Sequence, residues 1–429
     1  MLKQCSAGLI LLAAVTSSFA QSNTDWTSFY PTTGSATTEP KVVRPDTFGG
    51  NVVASATQVG SEQHLMVQNF DPDGNVVWTT SFDAPGLTAS RPIDMQVDES
   101  GAVIITGFVQ SLETFESMWL TLKIAANGEI LWSRMQFQGE SRALEIGAGG
   151  HAFISGYREN GSDLDIVTQK ISSNGGIVWT KSCSGAAGIS DLGTTMGMDG
   201  LGNLYVGGYS QGSSTGVNLT QRLIKYNQNG ARLWTKTLGL ANLDVVPIEI
   251  IGKPGGGCYV ASNAVFEYGM VTSHDSDGNQ MWRRTIDLSS REDAIVDMVL
   301  KGIENITVVS NVQSATSSDI LTRRFDSSGN VLWTKKYAVV GDWDEKASSI
   351  GVTSDGTVYV AGSSQLDNDS QSLVLKYNTS GVRLWDSFYA SPEGYAANVD
   401  LAIDGQKAVV LGAFQATPAR QALMLSRIQ

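Results

Sequence analysis

Residues 356–385 contain Gly356-Thr-Val-Tyr-Val-Ala-Gly362, Ser372-Leu-Val-Leu-Lys-Tyr377, Asn378-Thr-Ser-Gly381 and Val382-Arg-Leu-Trp385. Ser348-Ser-Ile-Gly-Val352 and the turn Ser354-Asp-Gly356 come just ahead. Val, Ile, Tyr and Trp fall in short runs with a period near two, and Asp or Asn with Ser and Gly fills the connections. Branched and aromatic side chains suit a pleated, half-buried surface, and Asn, Asp and Gly accept the positive φ of tight hairpins. The stretch therefore predicts four short strands in about fifty residues.

The same punctuation recurs along the chain. Trp78, Trp132, Trp179, Trp234, Trp282, Trp333 and Trp385 each stand four positions after a glycine: Gly74, Gly128, Gly175, Gly230, Gly278, Gly329 and Gly381. Trp26 opens Asp25-Trp-Thr-Ser-Phe-Tyr30, a segment like Trp385-Asp-Ser-Phe-Tyr389 with no preceding glycine. Spacings between successive tryptophans, from Trp26 to Trp385, are 52, 54, 47, 55, 48, 51 and 52 residues. Four-stranded units repeated at this period predict an all-β fold, an eight-bladed β-propeller of antiparallel blades. The units fall near 41–82, 91–137, 141–184, 191–238, 244–287, 293–338 and 346–389, numbered 1 to 7 below. Unit 8 is 395–429, completed by 25–30. Its last segment, Ala422-Leu-Met-Leu-Ser-Arg-Ile428, matches a third strand with no Trp strand after it, so pairing of the two chain ends would close the ring and leave no open edge.

Gly101-Ala-Val-Ile-Ile-Thr-Gly107, Gly202-Asn-Leu-Tyr-Val-Gly-Gly208 and Gly356-Thr-Val-Tyr-Val-Ala-Gly362 precede strands ending Lys-Tyr-Asn or Arg-Phe-Asp and then Gly-x-x-x-Trp. Over nearly the whole chain this resembles the secreted bacterial SBBP-type (YVTG-like) β-propeller repeats. That resemblance implies a propeller in a secreted or cell-surface setting and no particular activity. The Gly-to-Trp spacing is also similar to the tryptophan-docking repeats of eight-bladed quinoprotein dehydrogenases. It implies that Trp26, Trp78, Trp132, Trp179, Trp234, Trp282, Trp333 and Trp385 pack between neighbouring blades. The adjacent cysteines those enzymes place near their cofactor are missing, and the Asp326-to-Gly329 turn is one residue shorter than theirs. A quinone cofactor is therefore not expected.

Composition agrees with a folded chain: 429 residues with 41% hydrophobic and 17% charged are too apolar for disorder. Lys3, the apolar run Ala7–Val15 and Ser18-Phe-Ala20 read as a signal peptide over 1–20, which predicts an extracytoplasmic protein, periplasmic or secreted. Removing it takes one base and no acid from a net charge of −13. A nucleic acid partner is excluded by that acidity, and no run approaches the roughly 18 apolar residues of a membrane span. The two later cysteines, Cys183 and Cys258, leave open either buried thiols or one cross-blade disulfide.

Catalytic signals are sparse. His64, His151 and His274 lack metal-ligand spacing, and His274, in Ser273-His-Asp-Ser-Asp277, reads as a solvated loop residue. There is no phosphate loop or Cys-x-x-Cys. Asp71-Pro-Asp-Gly74 and its counterparts lack the long loop and terminal Glu of a calcium hand and read as turns. Aligning the strand after each Trp strand puts Asp94, Asp297 and Asp400 at one register, with Thr195 and Ser349 in other units. In a propeller this strand lies innermost. The three acids then form either a channel wall holding a cation or cationic ligand, or carboxylates that lock adjacent blades through backbone hydrogen bonds. Arg91, Trp119, Asp342, Trp343 and Asp344 fall in less repetitive connections, and the two tryptophans outside the repeat, Trp119 and Trp343, are candidate rim contacts. The functional expectation is a monomeric scaffold for a protein or surface-glycan partner, with no catalytic residues. The alternative is a propeller hydrolase or lyase acting on extracellular polysaccharide.

Overall fold

The computed structural model describes residues 24–30 and 37–429, apart from short connections at 85–86, 112, 162, 186–187, 213–218, 241–242, 289–292, 303–304, 315, 342, 368, 392–394 and 418–419. The leader expected at 1–20, Asp342 and the side chain of Trp26 lie outside the described residues.

Alternating apolar and polar residues, broken every seven to ten positions by turn chemistry, produce antiparallel meanders. In unit 6 Asp293–Lys301, Asn305–Gln313, Ser318–Phe325 and Val331–Tyr337 pair in chain order, and units 4, 5 and 7 repeat that order. Units 1 to 3 run together as one eleven-stranded sheet. A single parallel bridge, Gln63 to Ala89, joins the first two, and an 18-residue strand, Ile130–Gly147, serves as the outer strand of unit 2 and the first strand of unit 3. Between those roles stands Gly139 at φ 126°, where a Cβ would lie 2.3 Å from the Tyr157 carbonyl, so the chain changes sheet without a turn. The N-terminal strand Thr24–Tyr30 pairs antiparallel with Arg420–Ile428, Ser28 facing Leu425, and Ala396–Asp404 and Lys407–Thr417 complete that sheet.

The first strands of successive units lie against one another, and the last of them, Ala396–Asp404, lies against Thr37–Pro45 of unit 1. The core is divided among the faces between units. Val43, Val53 and Phe70 of unit 1, for example, pack on Ala402, Leu411, Leu423 and Leu425 of unit 8.

The turn before the Trp strand is an Asx turn in units 1, 4, 5, 6 and 7, on Asp71, Asn227, Asp275, Asp326 and Asn378. Asp326 Oδ1 accepts the amides of Ser328 and Asn330 at 2.9 and 2.8 Å, and Asp71 and Asp275 bind their turns likewise. Cys183 and Cys258 are buried and free, so no disulfide ties the units, and burial pushes the Cys258 thiol up to about 12.

Candidate functional site: an axial ring of carboxylates

Every first strand carries a β-bulge at the same place, followed by Val42, Asp94, Ala143, Thr195, Glu249, Asp297, Ser349 and Asp400, and the four acids among them gather around Arg44. A bulge re-aims side chains and interrupts the ladder. The innermost strand also has a free edge whose amides need acceptors.

The three aspartates supply them in one pattern. Each Oδ1 accepts the amide of its own next residue: Met95 to Asp94 at 2.7 Å, Met298 to Asp297 at 2.7 Å, Leu401 to Asp400 at 2.8 Å. Each Oδ2 accepts the equivalent amide of the following unit: Leu144 to Asp94 at 3.0 Å, Ile350 to Asp297 at 2.9 Å, Val43 to Asp400 at 3.0 Å. The last of these joins unit 8 to unit 1. Ser349 Oγ sits 3.1 Å from Asp297 Oδ2 and 3.2 Å from Asp400 Oδ1, bridging two units across its own.

Three further charges share the axis. Arg44 donates to Asp400 Oδ2 at 2.8 Å and lies 3.5 Å from Asp94 Oδ1. Glu145 takes a long 3.4 Å contact from Gln96, whose amide also donates to the Leu144 carbonyl at 2.8 Å. Glu249 has no hydrogen-bond partner among the described residues. It occupies the aspartate register, and the sequence carried the signal: Pro247-Ile-Glu249-Ile repeats Pro92-Ile-Asp94-Met. Arg44 and Glu145 stand one pleat beyond that register, where an alignment on the acids alone does not look.

Crowding five carboxylates around one guanidinium moves their titration. Burial pushes Asp297 up to about 6 against the amides that favour its charge, and pushes Glu145 up to about 7 with Asp94 adding to the shift. Glu249 is raised well above the ordinary range by burial, then by Asp297, Asp94 and Glu145, and Asp94 is raised by burial despite Arg44. For Arg44 the pull of burial is outweighed by Asp400 and Asp94, and its pKa rises.

A carboxyl raised on folding binds its proton more readily in the native state. Its stabilising contribution is whole below the unfolded value and is lost as pH climbs through the folded one. For Glu145 that window runs from 4.5 to about 7, and for Asp297 from 3.8 to about 6. The thermal midpoint is therefore expected to rise as pH falls from 8 to 5, and Glu145→Gln to flatten the part of that rise above pH 6. A midpoint that drops steadily over the same interval contradicts the assignment.

Among the described residues, no group of three His, Cys, Asp or Glu side chains converges as a metal site requires. Further out, six of the repeat tryptophans reach the turn of the next unit. Nε1 of Trp78, Trp132, Trp179, Trp234, Trp282 and Trp333 donates to the carbonyl of Ala126, Ser173, Gln228, Ser276, Ser327 and Thr379 at 2.9–3.2 Å. The last third-strand cation makes a similar reach: Lys170, Lys225 and Arg324 donate to Gln228, Ser276 and Thr379. At the junction of the chain ends Arg427 donates to the Pro72 carbonyl and Tyr30 to that of Gly74, the turn of unit 1. Trp385 packs against Tyr359 and, in unit 8, Ala408 and Ile428.

The chain folds as a β-propeller. Among solved structures it resembles prolyl oligopeptidase B from Galerina marginata at a TM-score of 0.52 and 12% identity, over 88% of this chain and 55% of that one. It also matches the WD40 domain of SCAP from fission yeast (TM-score 0.49, 10% identity, 94% and 97% of the two chains). A third match is a PL25 ulvan lyase bound to a glucuronate–sulfated rhamnose glycan (TM-score 0.47, 12% identity, 85% and 96%). The likeness is one of fold alone. No family model and no curated protein matches the sequence.

Two expectations need correction. Trp119 is not at a rim: it is 2% exposed, donates to the Tyr157 carbonyl of unit 3 at 2.6 Å and meets Phe137 edge-on at 5.4 Å, so it fills a blade interface. His274 is no loop residue: it ends the strand Gly269–His274, is fully buried, and places Nε2 3.0 Å from Thr272 Oγ1. In both cases local irregularity in the sequence was read as exposure. Trp343 is half-buried beside Gly341, and Arg91 spans units 1 and 2 by donating to Gln63 at 2.7 Å.

Proposed function

We propose that this protein is an extracytoplasmic scaffold, an eight-bladed ring of the SBBP-type repeat closed by its own chain ends and working as a monomer. Its rim connections, Trp343 among them, engage a protein or surface-glycan partner. The observation that carries this reading is how the axial polar groups are used. Asp94, Asp297 and Asp400 each hold the next blade's amide, so the carboxylates best placed for chemistry or for a cation act as blade locks. A rigid ring that spends its polar groups on itself and varies its connections suits binding at the loops.

The leader at 1–20 supports export. A cation at the axis is the competing role for the three aspartates, and calcium titration of the D94N/D297N/D400N variant against the parent separates the two, the scaffold reading expecting neither to bind. An enzyme acting on polysaccharide is favoured by one observation, the Glu145 carboxyl held near 7, where it could serve as a proton donor. Immobilised protein should retain a partner from an envelope fraction or a glycan array and release no product from the same polysaccharides. Release of oligosaccharides that Glu145→Gln abolishes would establish the enzyme instead.

A further inference from the structure

We infer that the cleft between units 4 and 5 is a binding site for a short aliphatic carboxylate. The cleft encloses about 150 Å³ at the outer end of the blade interface, and among the described residues no Asp or Glu lines it. Gln221 stands on its wall, 1% exposed, with Oε1 held by Ser262 Oγ at 2.9 Å. That bond fixes the amide, and its Nε2, buried, has no acceptor among the described residues. A buried amide donor left without an acceptor costs about 1–3 kcal/mol, so the position calls for an acceptor.

Arg283 lines the same cleft. It stands directly across from Thr272 in the sheet, which sets both on the face that looks toward unit 4, and its guanidinium meets no carboxylate among the described residues. The cleft thus offers an amide donor and a forked cation with no competing anion, the arrangement that receives a planar carboxylate. The rest of the wall decides what the carboxylate is attached to. Leu238, Leu240 and Met270 supply an apolar side that inorganic phosphate cannot use and an alkyl chain can. The volume equals about five waters and admits a chain of about two to four carbons. This site lies away from the axis and does not depend on the scaffold reading.

Butyrate is the probe, with 1-butanol and inorganic phosphate as matched arms, followed by calorimetry and by chemical-shift changes at the Gln221 side-chain amide. The expected result is saturable butyrate binding, at least about tenfold weaker in Arg283→Gln, and negligible response to the other two. Arg283 is exposed, so its replacement leaves the fold intact, and Gln221→Glu, which sets a carboxylate in the cleft, should abolish binding while a thermal melt confirms folding. Phosphate binding as tightly as butyrate, butanol binding as tightly, butyrate affinity unchanged in Arg283→Gln, or no binding at all would each overturn the assignment.

Discussion

Trp333→Ala is expected to destabilise the protein by about 3–5 kcal/mol, the range for removing a buried indole, read as a shift of the urea midpoint at unchanged slope. The side chain is 9% exposed and bonded through Nε1 to the Thr379 carbonyl at 3.1 Å. Its ring lies 6.1 Å from that of Tyr377 and under Arg324 at 5.3 Å. Gly381 stacks on the same indole: its φ of 76° already disfavours a side chain, and a Cβ there would come within 2.6 Å of the ring. Gly381→Val should therefore be nearly as damaging in the parent and much less so in the Trp333→Ala background, because the second loss removes what the first collides with. Additive effects of the two changes would show that the glycine is required by its turn alone.

The second large effect is expected at the junction of unit 8 with unit 1. Asp400→Ala removes the acceptor of the Val43 amide and the 2.8 Å partner of Arg44. Breaking a buried pair by deleting one member costs about 3–5 kcal/mol, but Arg44 is 34% exposed and keeps Asp94 at 3.5 Å, so about 2–3 kcal/mol is expected. Replacing both members, Asp400→Leu with Arg44→Met, should recover much of that loss, since the cost lies largely in the stranded charge of Arg44. A double variant no more stable than Asp400→Ala would mean that the hydrogen bond to Val43, rather than Arg44, carries the effect.

How much of this was legible in the sequence depends on whether a residue repeats. The Gly-to-Trp spacing revealed the units and their strand order because every copy solves the same turn and the same interface. The aspartate register was visible for the same reason. Glu249 escaped although its Pro-Ile-acid context matches that of Asp94, because a longer side chain of the same charge was not admitted to the series. The bulge leaves no uniform composition signal: it falls on Lys41, Arg142, Thr194 and Ser348 as well as on the aliphatic Ile93, Ile248, Val296 and Val399. Trp119 and His274 were misplaced because burial between blades depends on the facing unit, about 50 residues away in the chain. The cleft at Gln221 and Arg283 was invisible for the same reason, since each residue alone reads as an ordinary strand position.

Closure is the central claim, and hydrogen exchange of the native protein followed by mass spectrometry tests it most directly. If Thr24–Tyr30 is the outer strand of the last blade, its amides should be protected like those of Val331–Tyr337 and exchange with the cooperative unfolding of the ring. Exchange of peptide 24–30 at the rate of an unstructured chain, with 331–337 still protected, would contradict the account.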